Sequence, residues 1–364
     1  MADTVRWGIL GTGIMAEAFV RGLADLPGAE ASAVGSRDAE RATRFAQRLS
    51  IPRSHGSYEA LANDTGIDIV YIASPNVAHR DHGLLSLDAG KPVLCEKPFA
   101  LNAAQGREVV ERARQQGLFC MEAMWTRFLP LMARLRDLIR DGAIGQVQML
   151  SAQMGYPFIY DPKGRLFEPA LGGGVLLDVG VYLVALAFDL LGPPDEVVGR
   201  CSKAETGVDD RFAALLGYAD GRLATLSASL TGATSNDAVI SGSEGLIRVH
   251  EPIYRPDRLT LCSVSPIRPG ATGEGGRLAR IKGKTLVRSI KRRIGPLFGI
   301  LASRWDRVVV PYDGSGYHYQ AAEAMRCLRE GLIESPTMPL DQTVAILEVM
   351  DRLRASWGVR YPGE

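Results

Sequence analysis

Three clusters of residues in this chain have the types and spacing for chemistry. In the first, Gly11, Gly13 and Ala16 follow the apolar run at 5–10 in a Gly-x-Gly-x-x-Ala order. A backbone turn running from Gly11 through Thr12, Gly13, Ile14 and Met15 can close on a dinucleotide pyrophosphate. Gly11 makes the turn, Gly13 leaves room for phosphate, and Ala16 lets the next helix pack closely. A purely structural glycine turn is the competing reading; a strand pattern before it and an amphipathic stretch at 14–26 after it favour the nucleotide. In the second cluster, Glu96, Lys97 and Pro98 end an apolar strand pattern, at the sheet edge where ligands of parallel sheets bind. In the third, Gly172, Gly173 and Gly174 introduce a long apolar helix bearing Asp178 and Tyr182, four residues apart and therefore on one face. A carboxylate and a phenol are costly to bury among apolar side chains. They are either site groups or groups satisfied by capping, ion pairing or core hydrogen bonds.

The elements that must position these clusters read as an α/β arrangement. Strand patterns at 5–10, 31–35, 67–73, 93–96 and 118–122 alternate with helix patterns at 14–26, 39–49, 78–89 and 103–116. Strands that are apolar on both faces belong to a parallel sheet covered by helices, so the first part is a doubly wound Rossmann domain. From Trp125 onward the pattern changes to a helix at 129–140, an alternating strand at 146–153 and the apolar helix at 175–190. A series of strand-and-turn runs follows, with a hairpin turn at Ala219, Asp220 and Gly221. This predicts an α+β domain with an open, mainly antiparallel sheet. The expected division is a dinucleotide-binding domain over 1–124, a substrate-binding and oligomerisation domain over 125–335, and a closing helix over 336–364 that packs back near the first domain.

Which nucleotide binds is read from the end of the second strand, about 20 residues beyond the glycine motif, where an acid favours NAD and a base accommodates a 2′-phosphate. Ser36 and Arg37 stand there and favour NADP over NAD, with Arg37 as a charge-assisted fork and Ser36 as a hydroxyl. A solvated loop arginine is the alternative, and Asp38 suits the N-cap of the helix that follows. The 364 residues are 46% hydrophobic and 23% charged, with a net charge of +1, which gives no global reason to expect nucleic acid. Five cysteines without a C-x-x-C pair suggest reduced thiols in a cytoplasmic protein. The first strand begins too early to leave room for a signal peptide, and no apolar run is expected to reach the roughly 18 residues of a membrane span.

The glycine motif, the Glu96-Lys97-Pro98 triplet and the run GGGVLLDVGVY together resemble the Gfo/Idh/MocA oxidoreductase family. Within it the chain is most similar to the branch of dimeric dihydrodiol dehydrogenases and NADP-dependent D-xylose dehydrogenases, as the stretches at 121–128, 205–210 and 334–336 also suggest. The resemblance implies that Lys97 and Tyr182 handle a proton while hydride passes between a substrate carbon and the nicotinamide. A tyrosine at 182, where the inositol-dehydrogenase branch has histidine, favours the dihydrodiol and aldose branch. A free phenol titrates near 10, and the Lys97 ammonium is expected to bring it closer to working pH. Asp178 is expected to orient substrate hydroxyls or Lys97. Glu96 is expected to hold the turn and a ribose edge. Ser74, Pro75, Asn76 and His79 are placed by the resemblance near the nicotinamide side. Trp125 and Phe158 are candidate apolar walls for cofactor and substrate, with core packing as their alternative.

His79 and His82 have a spacing that could suit a metal, but no carboxylate–histidine cluster accompanies them, and no metal is expected. A basic stretch at 277–293, inside a longer insertion at 264–307, is either a surface lobe packed on its own or a sister subunit, or an amphipathic contact to an anionic surface. The implied substrate is a polyhydroxylated small molecule, either an aldose such as D-xylose or a trans-dihydrodiol, and the implied assembly is a homo-oligomer (dimer or tetramer) through the second sheet. Two rivals are a sugar–sugar oxidoreductase with a tightly bound cofactor and a dinucleotide-sensing regulator without turnover.

Overall fold

Six parallel strands form the first sheet: β1 (Val5–Leu10), β2 (Ala29–Gly35), β3 (Arg53–His55), β4 (Ile69–Ile72), β5 (Val93–Glu96) and β6 (Cys120–Ala123). Their order, β3-β2-β1-β4-β5-β6, reverses direction between β1 and β4, so the chain ends after these two strands open a crevice for a ligand. The computed structural model describes residues 4–264, 305–362 and 364; the basic 277–293 stretch lies outside the described residues. Every residue of β4 and of β5 is buried, as near-continuous apolar runs require, including Glu96 at the end of β5. Helices α1 (Ile14–Leu23), α2 (Ala39–Leu49), α3 (Tyr58–Ala62), α4 (His79–Asp88) and α5 (Ala103–Gln116) cover the sheet. Asp38 caps α2 by accepting from the Arg41 amide at 3.0 Å, and Asn102 caps α5 through the Gln105 amide. Strand β3 and helix α3 are additions to the sequence reading. The three residues of β3 are polar and carry no apolar alternation to betray them.

The second sheet has eight strands: β7 (Val147–Gly155), β8 (Glu196–Lys203), β9 (Asp209–Gly217), β10 (Leu223–Ser229), β11 (Ala238–Gly242), β12 (Gly245–Val249), β13 (Arg258–Ser263) and β14 (Trp305–Val309). In the order β14-β13-β12-β11-β7-β10-β9-β8, only the β7–β10 pair is parallel. Gly221, at φ 87°, closes the β9–β10 hairpin with its amide on the Tyr218 carbonyl. One face of this sheet rests on α7 (Val181–Leu191) and the π-helical turn at Leu176–Gly180 that leads into it, and α6 (Pro130–Arg140) contributes side chains to the same core. Contrary to the sequence expectation, the stretch Pro169–Leu191 is long and apolar enough to cross a membrane; 78% of its most apolar window is buried inside the fold, as befits a core helix.

Two closing helices, α8 (His318–Arg329) and α9 (Leu340–Trp357), return to the first domain. Leu340, Val344 and Leu347 of α9 join the apolar core that contains Val109, Val110 and Ala113 of α5. Asp351 fixes the register by accepting from the Ala103 amide at 2.8 Å.

Candidate active site

The glycine turn is shaped for a ligand. Gly11 has φ +112°, and a Cβ there would stand 2.6 Å from the Ala73 carbonyl oxygen, so the turn needs glycine. At Gly13 an added Cβ would meet nothing within 4 Å. Gly13 is also the N-cap of α1 and offers no side chain to its free amides, which leaves an open, electropositive cradle beside Ile14 and Met15. Ala16 is fully buried against the sheet, and Ile14 is 87% exposed at the mouth of the cradle. These features fit a dinucleotide pyrophosphate. At the tip of β2, buried Ser36 accepts from the Asp38 amide at 3.3 Å. Arg37 is exposed and has no hydrogen-bond or ion-pair partner among the described residues.

Beyond β4 the segment carrying Ser74, Pro75 and Asn76 is locked to both neighbouring loops. The His79 ring is buried between two carbonyls, with Nδ1 2.7 Å from Pro98 O and Nε2 2.9 Å from Ser74 O. Its ring therefore ties the Ser74 loop to the Lys97 turn and presents no free nitrogen. Asn76 donates to Gly172 O at 3.2 Å, reaching the glycine corner of the second domain. Glu96 is buried, accepting from the Tyr71 hydroxyl and from the Lys97 amide. Its carboxylate thus faces the protein and holds the turn, with little surface left for a ribose edge.

Lys97 and Tyr182 meet across the two domains. Lys97 Nζ donates to the Asp178 carbonyl at 2.7 Å, lies 3.5 Å from the Asp178 carboxylate and stands 4.7 Å from the centroid of the Tyr182 ring. The π-helical turn carries Asp178 into this position and Tyr182 follows in the first turn of α7; such bulges recur where helices serve function. Trp125 donates its indole N–H to the Tyr182 hydroxyl at 3.0 Å. Arg165, from the loop after β7, reaches the same Asp178 carboxylate at 2.7 Å.

The electrostatics differ from the sequence expectation at one point. The Tyr182 phenol is held well above its ordinary value, first by burial and then by the Glu96 carboxylate, with the Trp125 N–H pulling the other way. Lys97 sits over the ring face and directs its hydrogen bond to Asp178, so its charge does not offset the desolvation of the phenolate oxygen. Burial alone would also raise the Asp178 carboxyl, but Lys97 and Arg165 outweigh it and hold that group below the usual carboxylate range.

Aromatic side chains wall the site. Trp125, 1% exposed, packs its ring 4.4 Å from Tyr317 and 6.0 Å from Tyr254. Tyr254 lies 6.4 Å from both Tyr182 and Tyr156, and Tyr156 is 6.1 Å from Phe158. Phe158 is 42% exposed on the loop that also carries Arg165. Sequence reasoning missed Arg165, Tyr156, Tyr254 and Tyr317. The one signal available was the aromatic spacing Tyr156, Phe158, Tyr160 in a loop otherwise rich in Gly and Pro.

Residues 5–124 match the family model described as an oxidoreductase family with an NAD-binding Rossmann fold, and residues 132–248 match the Gfo/Idh/MocA C-terminal domain. The trans-1,2-dihydrobenzene-1,2-diol dehydrogenase of Mus musculus is 35% identical over 364 residues, covering 98% of each chain. Among solved structures, a 3-ketoreductase from Actinomadura kijaniata in complex with NADP and TDP-benzene has a TM-score of 0.78 at 23% identity, with 97% of this chain and 98% of that one covered. A levoglucosan dehydrogenase in complex with NADH and levoglucosan has a TM-score of 0.81 at 19% identity, with 98% of each chain covered. The chain belongs to the Gfo/Idh/MocA family of oxidoreductases.

Proposed function

We propose that this oxidoreductase is an NADP-dependent dehydrogenase acting at a CH–OH carbon of a polyhydroxylated small molecule, either an aldose such as D-xylose or a vicinal trans-dihydrodiol. The observation that carries the reading is the convergence of Lys97, Tyr182 and Trp125 in one aromatic-walled site beside the Ser74 and Lys97 loops. Relatives named as dihydrodiol dehydrogenases support a diol or sugar hydroxyl as the reacting group. The residues suited to hold the cofactor are the Gly11–Gly13 turn with Ile14 and Met15, Ser36 and Arg37 for a 2′-phosphate, and the loop from Ser74 to Asn76. When bound, the nicotinamide supplies the hydride acceptor for oxidation and the donor for reduction.

The protein's own groups manage the proton. The Tyr182 oxygen takes the substrate hydroxyl proton in oxidation and returns it in reduction. Trp125 stabilises the phenolate by donating to it. Lys97, anchored on Asp178, orients a substrate oxygen, and the aromatic walls exclude water. Tyr182→Phe should cut turnover by at least about a hundredfold with cofactor affinity preserved. Nearly intact activity in that variant would move the proton role elsewhere. NADP reduction across aldoses, inositols and diols would name the substrate.

The five free cysteines, four of them buried, support a cytoplasmic location. Exposed Met149, Val198, Leu215 and Leu223 on the second sheet support a homo-oligomer formed through its open face, which light scattering would check.

A further inference from the structure

Two buried side chains outside the reacting groups end on the glycine corner that starts the catalytic helix. Tyr361, from the chain after α9, donates its hydroxyl to Gly173 O at 2.5 Å. Asp209, the first residue of β9 and fully buried, accepts from the Leu176 amide at 2.7 Å, at the beginning of the π-helical turn. Gly174, at φ +118°, lies against both: a Cβ there would stand 2.6 Å from Asp209 Oδ1 and 2.9 Å from the Tyr361 hydroxyl. The corner is thus packed without slack. From it the Gly174 carbonyl accepts from the Asp178 amide at 3.2 Å, and Asp178 in turn supplies the carbonyl that anchors Lys97.

Tyr361 is also tied to the Lys97 side of the site. The buried Arg354 guanidinium lies 5.0 Å from the Tyr361 ring centroid and donates to Leu101 O at 3.1 Å, four residues beyond Lys97 in the same loop. One phenol–guanidinium pair therefore touches the chain leading from Lys97 and the corner leading to Tyr182.

We infer that Tyr361, backed by Arg354 and with Asp209 on the adjoining amide, is a positioning residue that sets the approach of Lys97 to Tyr182 across the two domains. This inference rests on the proposed proton role of Tyr182. A residue that only stabilised the fold would act on melting and leave the reacting groups' proton affinity alone. A positioning residue changes turnover and the pH profile at unchanged cofactor affinity.

The test is Tyr361→Phe, which removes one oxygen atom and frees Gly173 O. The expected result is a kcat at least about tenfold lower and a limb of the kcat/KM pH profile displaced by about half a unit or more, the scale of a small misplacement of reacting groups. The Kd for NADPH, read by fluorescence, stays within about twofold of the parent. Unchanged kcat, or a lower kcat with an unmoved pH limb, would overturn the inference. Should Tyr361→Phe fail to fold, Asp209→Ala is expected to lower kcat similarly and Asp209→Asn, which keeps an acceptor for the Leu176 amide, to recover most of the loss; equal losses in the two would count against it. Tyr182→Phe measured in parallel separates the layers. If that variant stays active the proton role itself falls, whereas loss there with normal Tyr361→Phe kinetics defeats the positioning claim alone.

Discussion

Replacing Trp125 by phenylalanine removes one N–H donor and keeps an aromatic wall. In the native site the indole N–H lies 3.0 Å from the Tyr182 hydroxyl and is the group that opposes burial and Glu96 in setting the phenol's proton affinity. A hydrogen bond to a charged acceptor contributes about 1.5–3 kcal/mol and one to a neutral acceptor about 0.5–1.5 kcal/mol. The difference, about 1–2 kcal/mol, acts on ionisation and corresponds to about one pKa unit upward. Under the proposed proton role, oxidation needs the deprotonated phenol, so its rate should rise with pH through that value. The variant's limb should therefore move to higher pH by about one unit. Below both limbs kcat/KM falls about tenfold, and above both the two enzymes converge. Because Trp125 is buried against Tyr317, the smaller ring also leaves a void costing about 1–3 kcal/mol, which a melting curve registers separately. A uniform loss at every pH, or a limb displaced downward, would refute the reasoning.

Other substitutions separate cofactor from fold. Arg37→Ala should raise the KM for NADP far more than that for NAD, since the exposed guanidinium has no described protein partner to lose; equal effects would remove the 2′-phosphate assignment. Gly13→Ala, whose Cβ enters open space, should leave the melting temperature unchanged and weaken cofactor binding at least about tenfold, whereas Gly11→Ala should cost about 1–3 kcal/mol of stability because of its φ and the Ala73 carbonyl. Glu122, raised to about 7 by burial against the opposing pull of the Phe99 amide and Arg127, binds its proton more tightly in the folded state than in the unfolded one. Stability from this group is therefore greatest below the unfolded value and falls by about 3 kcal/mol as pH rises to about 7. Urea unfolding of Glu122→Gln should show that slope removed.

Much of the scaffold was legible because its signals are local. Strands such as β4 are apolar without interruption, and α2 and α5 begin where Asp38 and Asn102 cap them. Strand β3 and helix α3 were not legible, since three and five residues carry too little periodicity. The π-helical turn is hidden for a related reason: one extra residue in a largely apolar stretch does not disturb a hydrophobic pattern. Lys97 could be picked out at a strand end and Tyr182 as a phenol on an apolar helix, but the 4.7 Å between ammonium and ring is a tertiary fact. The same holds for Arg165 and Tyr254, whose loops could point anywhere until packing fixes them. The sign of the phenol's shift also depends on direction, because the lysine would lower it more from beside the oxygen than from over the ring, where burial prevails.

The two cations on Asp178 are held unequally, and under the proposed chemistry that inequality gives the site a way to admit substrate. Lys97 is anchored on a backbone carbonyl that moves only with the helix, and its side chain is 12% exposed. Arg165 pairs with the carboxylate from a loop and is 55% exposed. Arg165 is the exposed, loop-borne arm of the cluster, so its displacement by an incoming hydroxyl costs less than loss of the buried ammonium. Withdrawing Lys97 instead would strand a carboxylate that burial already disfavours. Under that proposal, substrate hydroxyls would displace the arginine and leave the ammonium in place, so that binding would proceed without disturbing the lysine–tyrosine pair.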